Sequence, residues 1–238
     1  MTTDGETRKQ ALKDLSEDAL GFGGVDIRTV RDLLIRPRLV LQAWMIEGPT
    51  GGGVYAKPLK LYLGLNAILM LIVFLRGGID GVLDQLPPDL LTSLITQSGK
   101  SRDAFMAAAD GWMSFVTVPL MAPLYALAAL PFLRLWDAED LGWRRGFRAA
   151  FAYLNAWTVP MTPLFWFVFG TGPVAMIGSI VLFLLGVATF LRMGRGRWYR
   201  GGAVGLGKAL VLQIAISAVM MVGSLLIVGV GVLAGLLA

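Results

Sequence analysis

The chain has 238 residues, of which 56% are hydrophobic and only 16% charged, and its mean hydropathy of +0.68 predicts an integral membrane protein and not a soluble domain. Its net charge of +5 comes from basic residues that flank apolar segments, so we expect anionic lipid as their partner and no nucleic acid. The sequence has no cysteine and no histidine, which excludes Ser-His-Asp and Cys-His catalysis and histidine metal sites, and it predicts neither a metal nor a cofactor.

The chain begins with a polar segment, and an amphipathic segment follows it. Residues 1–25 predict a cytoplasmic tail, and residues 26–57 place leucines and valines among arginines. This pattern is typical of a helix that lies in the cytoplasmic membrane interface, and it also fits a soluble amphipathic helix packed on the ends of the spans. Pro37 is expected to kink or divide the helix.

Five apolar segments follow, at about residues 58–75, 112–133, 149–169, 173–191 and 209–238. Apolar segments of this length predict transmembrane helices. Only Gly170-Thr171-Gly172 joins the third segment to the fourth, which predicts a tight antiparallel hairpin. We therefore predict an all-α membrane protein, in which residues 58–238 form one domain of five transmembrane helices behind an N-terminal interfacial helix.

The orientation of this domain follows from its lysines and arginines. They number 9 up to the mouth of the first span, with Lys60 included, 4 between the second and third, and 5 between the fourth and fifth, while the other connections carry only 3. Because cytoplasmic loops are the ones enriched in lysine and arginine, the N-terminus is expected in the cytoplasm and the C-terminus outside.

The connection from residue 76 to residue 111 is the one sizeable segment predicted outside. Its leucines suggest two short amphipathic pieces around Pro87-Pro88, and Ser101 is a candidate N-cap for a third. The segment could be a lid, a partner-docking element or a structural cap on the bundle.

A dense group of basic and aromatic residues lies in the cytoplasmic loops and forms a candidate site for anionic lipid headgroups. The alternative is that these arginines only determine topology. The candidates are Arg144, Arg145, Arg148, Arg192, Arg195, Arg197, Trp198, Tyr199, Arg200 and Lys208.

The third span carries two prolines, which free backbone carbonyl groups within the membrane. Such a break can line a ligand pocket or can be a packing feature, and the candidate pocket residues are Asn155, Trp157, Thr158, Pro160 and Pro163. The other polar residues predicted within spans are expected to form hydrogen bonds between helices. They are Asn66, Thr162, Gln213, Ser217 and Ser224.

Glycines recur in the fifth span, at Gly223, Gly229, Gly231 and Gly235. The spacing of the last two is that of a GxxxG motif. Small residues allow helices to approach closely, so this face is expected to pack within the bundle or against another protomer or partner.

A family resemblance rests on three segments of the chain. They are Arg36-Pro37-Arg38, the run from Tyr55 to Tyr62 that opens the first span, and VPLMAPLYALAALPFLRL in the second span. Over about residues 26–170 the chain resembles an uncharacterised family of bacterial inner-membrane proteins known as a domain of unknown function. Members of that family usually carry Gly-Lys-Arg before the tyrosine and histidines in the third span, and here Glu47-Gly48-Pro49-Thr50 and Tyr153-Leu154-Asn155-Ala156 occupy those regions.

The predicted five-span topology also resembles that of the Yip family of membrane proteins. The two resemblances imply a helical fold in a bacterial plasma membrane and bring no established reaction. We expect a non-enzymatic membrane scaffold or accessory subunit that contacts anionic lipid and either a second copy or another membrane protein. An uncoupled transporter of a small solute or lipid is the alternative, and a membrane-embedded enzyme is the third possibility.

Overall fold

The computed structural model describes residues 23–139, 141–168 and 172–237, so the predicted tail up to residue 22 and most of the predicted hairpin turn lie outside the described residues. All the named elements of the described part are helical. The α-helices are α1 (Gly24–Ile35), α2 (Pro37–Ile46), α3 (Pro58–Arg76), α4 (Pro88–Ser98), α5 (Arg102–Leu135), α6 (Trp143–Met161), α7 (Phe165–Val168), α8 (Pro173–Gly194) and α9 (Gly202–Leu237). Two 3-10 helices cover Asp80–Gln85 and Thr162–Leu164.

Four helices of the described part, α3, α5, α8 and α9, are long and apolar enough to cross a membrane. They make the chain a multi-pass membrane protein by length and composition. Helix α6, which contains most of the predicted third span, is not among the four, because its first turns carry three arginines and its middle carries polar residues.

Helix α6 lies at the centre of the bundle. It packs against α1, α2, α3, α5 and α8, and its residues from Ala149 to Met161 are buried apart from Phe151 and Pro160, which are half-buried. A helix that other helices cover on most sides does not need an apolar surface toward lipid, and it can keep polar side chains that bond to its neighbours. This position explains the low hydropathy of α6.

Side-chain contacts bring three basic segments to one end of the bundle, called here the basic end. Arg148 of α6 donates a hydrogen bond to the carbonyl group of Trp44 in α2, over 2.8 Å. Arg192 of α8 donates to the carbonyl group of Leu34 in α1, over 2.6 Å. The turn between α8 and α9 therefore lies beside α1 and α2 at this end.

The opposite end of the bundle is held by contacts of the segment between α3 and α5. Lys100 donates a hydrogen bond to the carbonyl group of Gly235, near the end of α9, over 2.8 Å. Asp110 accepts a hydrogen bond of 2.6 Å from the backbone of Ile79, just after α3. Both contacts tie this segment to the ends of long helices.

Helices α5 and α9 form the longest packed pair and extend beyond the predicted spans. Ser101 is the N-cap of α5 and accepts a hydrogen bond from the backbone of Ala104, so the predicted third piece of the 76–111 connection is the first turn of α5. At about 1.5 Å per residue, α5 and α9 exceed the ~30 Å hydrocarbon core. Helix α5 continues through Pro119, Pro123 and Pro131.

The predicted division of the N-terminal helix at Pro37 is present. Helix α1 ends before Arg36, and Pro37 is the first residue of α2. Proline is well suited to this position, because the first amide groups of a helix have no intrahelical partner.

Candidate functional site

A cavity of about 190 Å³ lies among α3, α5, α6, α8 and α9. Most of its lining is apolar, as is typical of small-molecule sites, and a few hydroxyl and amide groups interrupt it. These polar residues are Asn66, Thr117, Tyr125, Thr158, Ser179, Gln213, Ser217 and Ser224, together with Tyr62, whose hydroxyl group donates to the carbonyl group of Ala122 over 2.9 Å.

A hydrogen-bonded group closes the cavity toward the basic end. The side-chain amide of Gln213 donates to the Tyr153 hydroxyl group, which donates to the carbonyl group of Gly186 over 3.2 Å. A Cβ atom at Gly186 would collide with the side-chain amide of Gln213, so glycine leaves room for this side chain between α8 and α9. The group links α6, α8 and α9 through side chains that water does not reach.

The predicted pocket residues divide between the cavity and the rest of α6. Trp157 and Thr158 line the cavity, and the indole of Trp157 donates to the carbonyl group of Leu182 over 3.1 Å. Asn155 is fully buried elsewhere and donates to the carbonyl group of Pro58 over 2.7 Å. Pro160 and Pro163 are not part of the lining.

The polar residues predicted to bond between helices divide in a similar way. Asn66 and Thr162 donate to carbonyl groups of their own helical turn, Tyr62 and Thr158, and not to another helix. Gln213 bonds across helices, as expected. Its neighbour in the lining, Ser217, has no hydrogen bond within the described part of the chain.

Sequence reasoning missed four polar residues of the lining, Tyr62, Thr117, Tyr125 and Ser179. A signal for the tyrosines was present. A tyrosine inside an apolar segment has a hydroxyl group that needs a partner, which can be a neighbouring helix or a bound ligand.

The ten predicted headgroup residues do not form one free surface. Six of them are used within the protein. Arg148 and Arg192 donate hydrogen bonds to carbonyl groups in the last turns of α2 and α1, where a positive charge also interacts favourably with the helix dipole. Arg197 pairs with Asp137 over 2.6 Å, and Lys208 donates to the carbonyl group of Trp198 over 2.7 Å.

Trp198 and Tyr199 are also internal. Both are buried, and both rings stack on Phe190 of α8. Burial raises the pKa of the Tyr199 hydroxyl group above its usual value, and the positive charges of Arg195 and Arg38 oppose this shift. The two guanidinium groups therefore lie close enough to act on the same residue.

The remaining candidates, Arg144, Arg145, Arg195 and Arg200, are exposed. Arg145 pairs with Glu139 over 3.3 Å. Arg195 and Arg200 have no acidic partner in the described chain, and Arg38 of α2, also without one, approaches Gly196 beside Arg195. The free arginines of the basic end thus include Arg144, Arg195 and Arg200 of the predicted set. Outside that set, Arg36 and Arg38 are also exposed and have no acidic partner in the described part of the chain.

Three of the four glycines predicted as packing residues in α9 pack inside the chain. Cβ atoms at Gly223, Gly231 and Gly235 would meet Met121, Met113 and Phe105 of α5, respectively. A Cβ atom at Gly229 would meet no atom within 4 Å. Close packing within the bundle, one of the two expected uses of this face, therefore involves three of its glycines.

The cavity and the free arginines thus form two separate features. The cavity lining contains no charged side chain, so it offers hydrogen bonds and apolar contact and no ionic contact. The basic end offers unpaired guanidinium groups. Comparisons with protein-family models, with curated proteins and with solved structures found no match.

Proposed function

We propose that the protein crosses the membrane five times, with α6, the 3-10 turn and α7 together forming the third crossing. This helical path runs from Trp143 to Val168 and, at about 1.5 Å per residue, reaches roughly 39 Å. Trp143 near its start and Trp166 near its end are both exposed, a distribution that resembles the aromatic belts of membrane interfaces.

Contacts at the two ends of this path support the proposal. Arg148, in its second turn, bonds to α2 at the basic end. Phe165, just after the 3-10 turn, packs against an apolar cluster that includes Val73 and Ile79, near the end of α3. The path therefore extends from one end of the bundle toward the other, as a membrane crossing must.

The proposed orientation places the basic end in the cytoplasm of a bacterial cell, in the inner membrane. The lysine and arginine distribution supports this orientation. Helices α1 and α2 would then lie in the cytoplasmic interface. Ile35 and Ile46 expose 61% and 74% of their surface, and Arg36 and Arg38 of the same segment are also exposed, as expected of helices that contact acyl chains and phosphates together.

With this topology, we infer a non-enzymatic membrane scaffold or accessory subunit that is held on anionic phospholipid through its basic end. The observation that carries the proposal is the group of exposed arginines, Arg38, Arg195 and Arg200, which no acidic side chain of the described chain neutralises. Phosphate groups of the membrane are the nearest anions. Lipid and partner helices would cover the apolar faces of α8 and α9.

The test is replacement of Arg38 and Arg195 by glutamine. Each basic residue near an anionic surface contributes about 1 kcal/mol, so the double variant should bind phosphatidylglycerol roughly thirtyfold more weakly. Native mass spectrometry of the purified protein would measure bound phosphatidylglycerol relative to phosphatidylethanolamine.

The matched control is Arg102→Gln with Arg145→Gln, which removes the same charge from arginines already paired with Asp84 and Glu139. It should retain phosphatidylglycerol as the wild type does. An equal loss in both double variants would mean that net charge alone retains the lipid. No loss in the first would refute the proposed contact.

A second candidate function is uncoupled transport of a small solute or lipid. The cavity favours this function, because a transporter needs a binding site within the membrane. Phe165, which follows the break between α6 and α7, is part of the cavity lining. The chemistry of the cavity limits what such a site can hold.

A further inference from the structure

The cavity retains hydrogen-bonding groups that the described part of the chain does not use. Tyr125 and Ser217 line it, and neither hydroxyl group has a hydrogen-bond partner there. The amide of Asn66 uses its nitrogen for the carbonyl group of Tyr62, which leaves its oxygen as an acceptor. Polar groups inside a membrane bundle normally find partners, so these groups are available to a ligand.

The chemistry of the lining defines the charge of that ligand. No aspartate, glutamate, lysine or arginine contributes to it. A charged headgroup in such a place would lose its hydration without an ionic partner, which is costly. The occupant must therefore be uncharged, with hydroxyl or carbonyl groups to match Tyr125 and Ser217.

The exposure of the lining shows where the cavity opens. Ile79 and Ile227 are buried near the opposite end of the bundle, and Tyr62 and Gln213 are buried near the basic end. The exposed lining residues are Ser179 of α8 and Met220 and Ser224 of α9. The opening thus lies between α8 and α9, along the sides of two membrane-spanning helices, and faces the bilayer.

The volume limits how much of a ligand can enter. An engineered cavity of about 150 Å³ admits benzene, whereas sites for whole drug-sized molecules begin at about 300 Å³. A cavity of about 190 Å³ accepts a small head and the adjoining methylene groups, and it is too small for a whole phospholipid. The rest of the ligand must remain in the bilayer.

We propose that this cavity binds an uncharged amphiphile dissolved in the membrane, with a small hydroxyl- or carbonyl-bearing head among Tyr125, Ser217 and Asn66 and a hydrocarbon tail that leaves between α8 and α9. The ligand enters from the bilayer and not from water. This site goes beyond the contact with anionic lipid and uses none of the arginines of the basic end.

The experiment uses the full chain in nanodiscs of phosphatidylcholine, with a long-chain alcohol that carries a photoreactive diazirine beside its hydroxyl group. Mass spectrometry of peptides would locate the label. We expect it on lining residues of α3, α5 and α9, which carry Asn66, Tyr125 and Ser217, and unlabelled alcohol should compete. A quaternary ammonium amphiphile of equal chain length should not compete, and equal competition would overturn the uncharged assignment.

Two neighbouring methionines give a matched pair of variants. Met220 lines the opening, whereas Met221 is 69% exposed and lies outside the lining. Met220→Trp should block the opening and reduce labelling roughly tenfold, which corresponds to about 1.4 kcal/mol of binding free energy. Met221→Trp should label as the wild type does. Equal labelling of both variants would overturn the proposed entrance.

A third variant tests the head position. Tyr125→Phe removes one hydroxyl group and keeps the ring, so it should reduce labelling by the photoreactive alcohol and leave labelling by the corresponding alkane unchanged. A purely structural effect of Tyr125 would lower both, and that result would overturn the assignment. The Arg38→Gln, Arg195→Gln variant should label normally, so this proposal and the anionic-lipid function can fail independently.

Discussion

Arginine side chains at the basic end show how one residue type takes different roles. Arg148 and Arg192 belong to α6 and α8, and the carbonyl groups that they contact belong to α2 and α1. Their long side chains reach the last turns of these neighbouring helices. Arg195 has the same charge and a similar position in the sequence, but it is exposed and unpaired. The difference depends on which helix end lies within reach.

A prediction at this scale concerns two glycines in the first turns of α9. A Cβ atom at Gly205 would lie 2.5 Å from ring carbons of the buried Tyr199, whereas one at Gly207 would meet no atom within 4 Å. Gly205→Ala should lower the free energy of unfolding by about 1–3 kcal/mol, because the ring cannot move away. Thermal unfolding in detergent measures the change.

The control is Gly207→Ala, which should leave stability unchanged or raise it by up to about 1 kcal/mol through helix propensity. Equal effects of the two alanines would show that Tyr199 does not pack on α9 as described.

Single residues also mark the limit of sequence reasoning. Trp157 and Thr158 could be predicted near a pocket, because they lie just before Pro160 in a polar stretch of α6. Asn155 has the same signal, but it faces Pro58 in α3. The side of a buried helix that faces a cavity depends on how the neighbouring helices are arranged. The sequence of the helix itself does not determine that arrangement.

Among the elements, α6 shows that a segment predicted as a span can form a helix without the hydropathy of one. Apolar segments predicted helices in all five regions, and α3, α5, α8 and α9 have the length and hydropathy of spans. The partly polar α6 does not, because other helices shield it. The N-cap at Ser101 was predictable, and so was one helix over residues 112–133, which continues through Pro119, Pro123 and Pro131 although each proline removes a backbone hydrogen bond.

The pairing of α5 with α9 leads to a second prediction. Gly231 and Gly235 face Met113 and Phe105, both fully buried in α5. Replacing both glycines by isoleucine should separate the helices and lower the free energy of unfolding by about 1–3 kcal/mol per site. Membrane insertion should persist, because isoleucine is compatible with lipid.

Gly229→Ile is the control for this pair, since that position has open space around it. It should unfold at the wild-type temperature. A double variant that keeps wild-type stability and instead loses a bound partner would mean that the glycine face packs between chains.

In the whole molecule, contacts alternate between the two ends as the chain proceeds. Lys60, near the start of α3, pairs with Asp26 of α1, while the backbone just after α3 contacts Asp110 at the opposite end. The turn before α9 lies at the basic end, and the end of α9 contacts Lys100 at the other. Charge distribution predicted this alternation. It could not predict the cavity, which requires side chains from five separate helices to meet.

The third prediction tests the number and direction of the crossings. With five spans, reporters fused after Gly5 and at Gly201 should lie in the cytoplasm, and reporters at Ser98 and at Ala238 should lie outside, because the basic loops stay on the cytoplasmic side. Paired reporters that are active on opposite sides of the membrane measure each position.

The fusion at Gly201 separates the two possible counts. If α6 and α7 do not cross, α8 must start on the cytoplasmic side, and the segment between α8 and α9 must lie outside together with its arginines. Gly201 and Ala238 would then exchange sides, while Ser98 would stay outside. That exchange would refute the five-span topology, and it would also place Arg195 and Arg200 away from the cytoplasmic leaflet, where the proposed anionic lipid lies.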